Sequence, residues 1–192
     1  MELPCFFLSK TAPLTNLTIS NNLTRIRFST FRGATSLTSV TIPGSVSAID
    51  TNAFIGATSL TELIIEYGVT SIGDYAFEDA ISLTSLTIPG SVKRTGDFAF
   101  RGASSLESIV LEYGVERIGW SSFSLAPSLV SVTIPESVKG IAGFAFWGAS
   151  SLTDIIIPDS IEFIDDSAFR GVNNLPDETR EKILAINRGA FW

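Results

Sequence analysis

Phenylalanine recurs at Phe31, Phe54, Phe77, Phe100, Phe123, Phe146 and Phe169, always 23 residues apart. A fixed interval of that length means equivalent supersecondary units, none of which can bury its apolar face without its neighbours. Other columns keep the same phase. With Pro13 as the first position of the first unit, the second position is Leu14, Leu37, Leu60, Leu83, Leu106, Leu129 and Leu152. The fifth and seventh positions are aliphatic throughout, as in Val40 and Ile42, and the fourteenth is isoleucine except at Thr95. Seven units therefore begin at 13, 36, 59, 82, 105, 128 and 151, and an irregular eighth begins at Asn174.

The aliphatic fifth and seventh positions alternate with small polar or β-branched ones, as in "SVTI" at 39–42. Period two is the signature of a strand with one buried face. Each unit offers this strand once in the same chain direction, and parallel strands need a return path of about a dozen residues. A 23-residue unit supplies that path, so the expected fold is a coil with one strand per turn. Strands stacked ~4.8 Å apart would give a rod on the order of 35 Å long. The return wall reads I-x-x-x-A-F-x-G-A, as in "IDTNAFIGA" at 49–57. It has no room for a long helix, so short extended or 3₁₀ pieces are expected, with the phenylalanines stacked inward.

Two kinds of turn follow the strand. One is Pro-x-Ser, as at Pro43-Gly44-Ser45 and Pro89-Gly90-Ser91; the other is Glu-Tyr-Gly, at Glu66-Tyr67-Gly68 and Glu112-Tyr113-Gly114. They alternate through the first four good units, which reads as duplication of a two-unit block. At the C-terminus, 174–192 drops the strand pattern. Pro176, Asp177, Glu178 and Glu181, followed by Gly189, predict a short helix that caps the last coil, with Ile183 and Ile186 on the core. Ile186 and Phe191 keep the spacing of a return wall. At the other end, 1–12 repeats that spacing at Leu3 and Leu8 and reads as a partial turn. The division is thus an N-terminal cap over 1–12, seven repeats over 13–173 and a C-terminal cap over 174–192.

The segments "SLTSLTIPGSV" and "SIGDYAFEDA" closely resemble the BspA-like, or Treponema-type, leucine-rich repeat. The resemblance covers Pro13 to Asn173. It implies a curved solenoid with the parallel sheet on its concave side and a role in protein binding or adhesion, often at cell surfaces. The family's cysteine before each new unit is replaced here by Ala34, Ala57, Ala80, Ala103, Ala126, Ala149 and Val172.

Chemistry is limited by what the chain lacks. It has no histidine and a single cysteine, Cys5. The commonest general base and transition-metal ligand is missing, and no internal disulfide can form. Neither an enzyme nor a cofactor is expected. A net charge of −7 argues against nucleic acid. No apolar run is long enough to cross a membrane, and "MELPCFFLSK" makes a poor signal peptide, which leaves a cytoplasmic as well as a surface location open. Asp74 and Asp97 share a column but read as solvated loop acids, not calcium ligands. The sequons at Asn16 and Asn22 follow from the repeat itself.

Two surfaces are candidates for a protein or glycan partner. The return wall carries Trp120, Trp147, Phe98 and Phe144, with Lys93, Arg94, Arg117 and Lys139 a few positions earlier; aromatics and arginine are enriched at binding hot spots. Phe98 and Phe144, which share a column with Tyr75, are read as folding back over the phenylalanine stack, so the two tryptophans lead this site, and the four bases would favour an acidic partner. The alternative is the rim of the strand face, with Glu66, Tyr67, Glu112 and Tyr113. The function expected is a non-enzymatic binding or adhesion module, the alternative being a structural scaffold or clamp in a larger assembly or a fragment of a longer array.

Overall fold

The computed structural model describes residues 14–192; Cys5 and the partial turn expected over 1–12 lie outside them. The elements run β1 (Asn16–Thr18), β2 (Arg25–Ile26), β3 (Ser39–Ile42), β4 (Ala48–Ile49), β5 (Glu62–Ile65), β6 (Ser71–Ile72), β7 (Ser85–Ile88), β8 (Ser108–Leu111), β9 (Arg117–Ile118), β10 (Ser131–Thr133), β11 (Gly140–Ile141), β12 (Asp154–Ile155), β13 (Phe163–Ile164) and α1 (Asp177–Ile186). The fold is a solenoid of parallel strands with one short helix at its C-terminal end.

The register is that of the sequence columns. Val40 pairs with Leu63, and Ile109 with both Leu86 and Val132, each one unit apart. In β3, β5, β7 and β8 the fifth and seventh positions are buried while the fourth and sixth face out, as period two requires. A second parallel sheet, built from two-residue strands at positions thirteen and fourteen, forms the next wall, as where Ile49 pairs with Ile72. Such strands are too short to leave a periodicity, and the sequence announces them only as isolated isoleucines.

The phenylalanines stack as expected. Phe54, Phe77, Phe100, Phe123, Phe146 and Phe169 are wholly buried. Successive ring centroids lie 4.9 to 5.9 Å apart from Phe31 to Phe169, and Phe191 extends the row at 5.9 Å from Phe169. Main-chain bonds tie each of these layers to the next, for example from the Phe77 N–H to the Ala99 carbonyl at 2.8 Å.

Both sheets are interrupted between the third and fourth units. β5 and β7 belong to separate sheets, as do β6 and β9, whereas the phenylalanine wall continues its bonding across the same step. The interruption coincides with Thr95, where the fourteenth column loses its isoleucine. Thr95 is buried, and its hydroxyl oxygen accepts the Gly119 N–H at 2.8 Å. In a regular pair the equivalent glycine N–H goes to a main-chain carbonyl, as from Gly73 to Ile49 at 2.7 Å.

The short C-terminal helix forms as expected, with Ile183 buried and Ile186 packed on the core. Pro176 sits at the N-cap, one position before the first helical turn. Lys182 bonds the Asp159 carboxylate, which that hydrogen bond and charge hold below its ordinary range.

Two residues break the packing rule of the alanine column: Thr30, whose hydroxyl donates to the Arg27 carbonyl at 2.7 Å, and Ser122. Ser122 stands where other units carry Ala53, Ala76, Ala99, Ala145 and Ala168, and its buried hydroxyl has no partner. An unpaired buried polar group is costly. Ser122→Ala is expected to stabilise the chain by about 1 kcal/mol in chemical denaturation. A lower unfolding midpoint would mean that this hydroxyl is satisfied in solution.

Candidate functional site

The strand-side turns explain the alternation of Pro-x-Ser with Glu-Tyr-Gly. The Glu66 carboxylate accepts the Gly44 N–H of the preceding unit at 3.0 Å, and Glu112 accepts the Gly90 N–H at 3.2 Å. On the other side, the Ser91 hydroxyl accepts the Gly68 N–H at 3.1 Å and donates to the Val69 carbonyl at 2.7 Å. Ser137 repeats this with Gly114 and Val115. Each Glu-Tyr-Gly turn is therefore keyed to a Pro-x-Ser turn above and below it. The two-unit period has a structural cause in addition to any history of duplication.

This interlock holds the turn backbones so close that the tyrosine side chains must project. Tyr67 is 77% exposed and Tyr113 is 79% exposed, more than either Trp120 or Trp147. Gly90, which is buried, lies between them and adds no side chain to the row. On the sheet face beside them, Ile64, Val110 and Ile156 are exposed at the sixth position of the third, fifth and seventh units. The intervening units carry Thr87 and Thr133 there. Apolar groups thus appear on every second turn, in phase with the tyrosines.

Charge is segregated between the two halves of the coil. In the seven units, positions one to eleven hold Glu62, Glu66, Glu107, Glu112, Glu136, Asp154 and Asp159 and no base. All seven acids are exposed. Positions twelve to twenty-three hold nine acids and nine bases, and 1–12 and 174–192 each balance. The whole net charge of −7 therefore resides on the strand half. Phasing the charges to the repeat columns is enough to find this, and reading the net charge for the chain as a whole conceals it.

The return wall brings Trp120, Phe144 and Trp147 into one cluster. Trp120 lies 5.2 Å from Phe144, and Phe144 meets Trp147 edge-on at 5.9 Å. The rings cover one another, leaving Trp120 41% and Trp147 37% exposed. Phe98 is not part of that cluster; it stacks on Tyr75 at 4.8 Å in an outer aromatic pair, with the Arg101 guanidinium 5.9 Å above it. These rings do not fold over the phenylalanine stack. Their column, the seventeenth, is left-handed in every unit, with φ of 58° at Tyr75, 59° at Phe98 and 57° at Phe144. That conformation turns the side chain outward from the stack.

Three of the four bases expected to rim this cluster are engaged within the chain. Lys93 pairs with Glu116 at 3.2 Å, and Arg94 bonds Asp97. Arg117 lies over the Phe163 ring at 4.9 Å. Lys139 follows Glu116 and precedes Glu162 in the twelfth column, which alternates in charge. The wall nearest Trp120 is instead acidic: an open groove of about 450 Å³ that Trp120 and Phe144 line on one side also has Asp165 and Asp166 among its lining residues. A surface neutralised in this way offers little to attract an acidic partner.

Asp74 and Asp97 act as main-chain acceptors. The Asp74 carboxylate takes the Asp97 N–H at 2.8 Å, and that of Asp97 takes the Trp120 N–H at 2.9 Å. Among the described residues no cluster of side chains has the makings of a metal site. Also among them, no helix is long and apolar enough to cross a membrane.

A family model described as BspA type leucine rich repeat region matches the chain in six copies, over residues 2–123 and 94–192. Among solved structures the chain is similar to the Treponema pallidum leucine rich repeat protein, with 30% identity, a TM-score of 0.78, and coverage of 83% of this chain and 75% of that one. It is also similar to a leucine rich cell surface protein from Faecalibacterium prausnitzii A2-165, at 28% identity and a TM-score of 0.60, covering 88% of this chain and 55% of that one. A leucine-rich repeat protein from Bacteroides ovatus matches at 25% identity and a TM-score of 0.61, over 80% of this chain and 47% of that one. The chain thus spans about half the length of these last two. No curated protein matches the sequence. With the repeat columns, the paired sheets and the family match in agreement, the chain belongs to the BspA-type leucine-rich repeat family.

Proposed function

We propose that the chain is a non-enzymatic protein-binding module that docks its partner along the strand face, with Tyr67 and Tyr113 as anchors. The observation that carries this reading is the exposure of both tyrosines on turns held rigid by the interlock. Large, stiff, amphipathic side chains on a fixed backbone lose little entropy on binding, which is what a recognition surface needs. Family membership supports a binding role in general.

A second reading places the partner on the return wall at Trp120, Phe144 and Trp147, and the three-ring cluster favours it. Its tryptophans are less exposed than the tyrosines, and the nearby bases are engaged. The two readings separate in a pull-down from the source cell with the tagged chain. Tyr67→Ser with Tyr113→Ser is expected to abolish capture of the partner, while Trp120→Ser with Trp147→Ser retains it. The opposite pattern would move the site to the return wall. Loss of the folded far-ultraviolet spectrum in the tryptophan variant would show that those rings serve packing.

A further inference from the structure

We infer that the occupant of the strand face is a positively charged, proline-rich segment in the polyproline II conformation, lying along the solenoid axis; this rests on the docking surface proposed above and names its partner.

Charge decides the sign of the partner. The strand half carries the entire net charge of the chain and no base in any of the seven units. Lys182 pairs with Asp159 and the Lys93 ammonium reaches the Gly114 carbonyl, but acids outnumber these bases on the face, so an acidic segment is disfavoured there and a basic one is attracted from a distance. The acids flank the exposed rings, with Glu66 and Glu112 next to the tyrosines and Glu136 in the row beyond Tyr113.

Spacing decides the conformation. Tyr67 and Tyr113 are two turns apart, as are Ile64 and Val110, and then Val110 and Ile156. Two strand spacings amount to ~9.6 Å. A polyproline II chain returns to the same edge every three residues, about 9.3 Å further on. An α-helix returns after seven residues, about 10.5 Å, and overshoots by about 2 Å between Ile64 and Ile156. A β-strand presents the same face every ~6.7 Å and does not match at all. Of the three regular conformations only polyproline II keeps step with the exposed groups. The chemistry agrees, because aromatic side chains on recognition surfaces dock proline rings, and Gly90 puts no side chain between the two tyrosines.

The test uses the whole chain and three peptides, (Pro-Pro-Lys)4, (Pro-Pro-Glu)4 and (Gly-Gly-Lys)4, titrated by calorimetry. (Pro-Pro-Lys)4 is expected to bind, at least tenfold more tightly than (Gly-Gly-Lys)4, with no binding of (Pro-Pro-Glu)4. Tyr67→Ser with Tyr113→Ser should weaken it at least tenfold, and raising the salt from ~0.05 to ~0.5 M should weaken it further. Equal binding of (Gly-Gly-Lys)4 would overturn the conformation and leave charge alone. Equal binding of (Pro-Pro-Glu)4 would overturn the sign. If no peptide binds but partner capture still depends on the tyrosines, the inference fails and the docking surface stands. If capture is indifferent to the tyrosines, the docking surface itself is wrong.

Discussion

Replacing Phe100 by alanine is expected to cost about 3–5 kcal/mol in chemical denaturation, the largest loss of any single substitution in the coil. Phe100 is wholly buried near the middle of the ring stack, with Phe77 at 5.2 Å and Phe123 at 5.7 Å. Its removal leaves a cavity bounded by two rigid rings, neither of which can move in without breaking its own stack. The layers above and below are tied to it through main-chain bonds, from Phe77 to Ala99 and from Phe100 to Ser122. Stability in a repeat array is a sum of unit and nearest-neighbour terms, so the damage extends into both neighbours. The position is also the weakest in the array for a second reason: both sheets are already interrupted between the third and fourth units. There the phenylalanine wall, together with the Gly68 and Val69 bonds to Ser91, carries the coupling that the sheets do not. Phe100→Ala should therefore broaden the unfolding transition or split it in two, whereas Phe146→Ala, remote from the interruption, should lower the midpoint and keep one transition. If Phe100→Ala unfolds at the midpoint of the parent, the stack contributes nothing to cohesion and the coupling lies elsewhere.

Much of this architecture is legible in the sequence because a buried column admits few residues. Phenylalanine at the nineteenth position and aliphatics at the fifth and seventh repeat often enough to fix the strand, its inward face and the ring stack. The C-terminal helix follows from the loss of that pattern together with Asp177 and Glu178 in its first turn. What escapes the sequence is conformation that side-chain type does not encode. Aromatic residues seldom adopt positive φ, so nothing about Phe98 or Phe144 warns that their column is left-handed. The outer aromatic groups depend on that turn. The tyrosines had the reverse problem: Tyr67 and Tyr113 look like ordinary surface rings until the interlock shows that the backbone beneath them is fixed. The bases beside the tryptophans were visible, but their partners Glu116 and Asp97 lie in neighbouring turns or across a turn, and their engagement needs the fold. The charge segregation was present all along and required only that acids and bases be assigned to columns.

Gly90→Ala is expected to cost about 3 kcal/mol, although it adds only one methyl group. A Cβ at Gly90 would stand 1.9 Å from the Tyr113 carbonyl oxygen and 2.9 Å from its carbon, both main-chain atoms. The opposing residue cannot yield. Gly114 has φ of +117°, a region open essentially to glycine alone, and a Cβ there would meet the Gly90 carbonyl oxygen at 2.3 Å. Separating the two turns would stretch the bond from the Gly90 N–H to Glu112 and the bond from the Lys93 ammonium to the Gly114 carbonyl. The control is Glu136→Ala, in the same column of a later unit, where the residue already carries a Cβ; it should change stability by less than about 0.5 kcal/mol. Gly44→Ala should repeat the loss, since its Cβ would stand 2.1 Å from the Tyr67 carbonyl oxygen. The same substitution also tests how the surface is built. If the interlock fixes the tyrosines, a Gly90→Ala chain kept folded at low temperature should lose affinity for (Pro-Pro-Lys)4 although no tyrosine has changed. Gly90→Ala with the stability of the parent would mean that the two turns are not interlocked in solution, and the two-unit period would then rest on duplication alone.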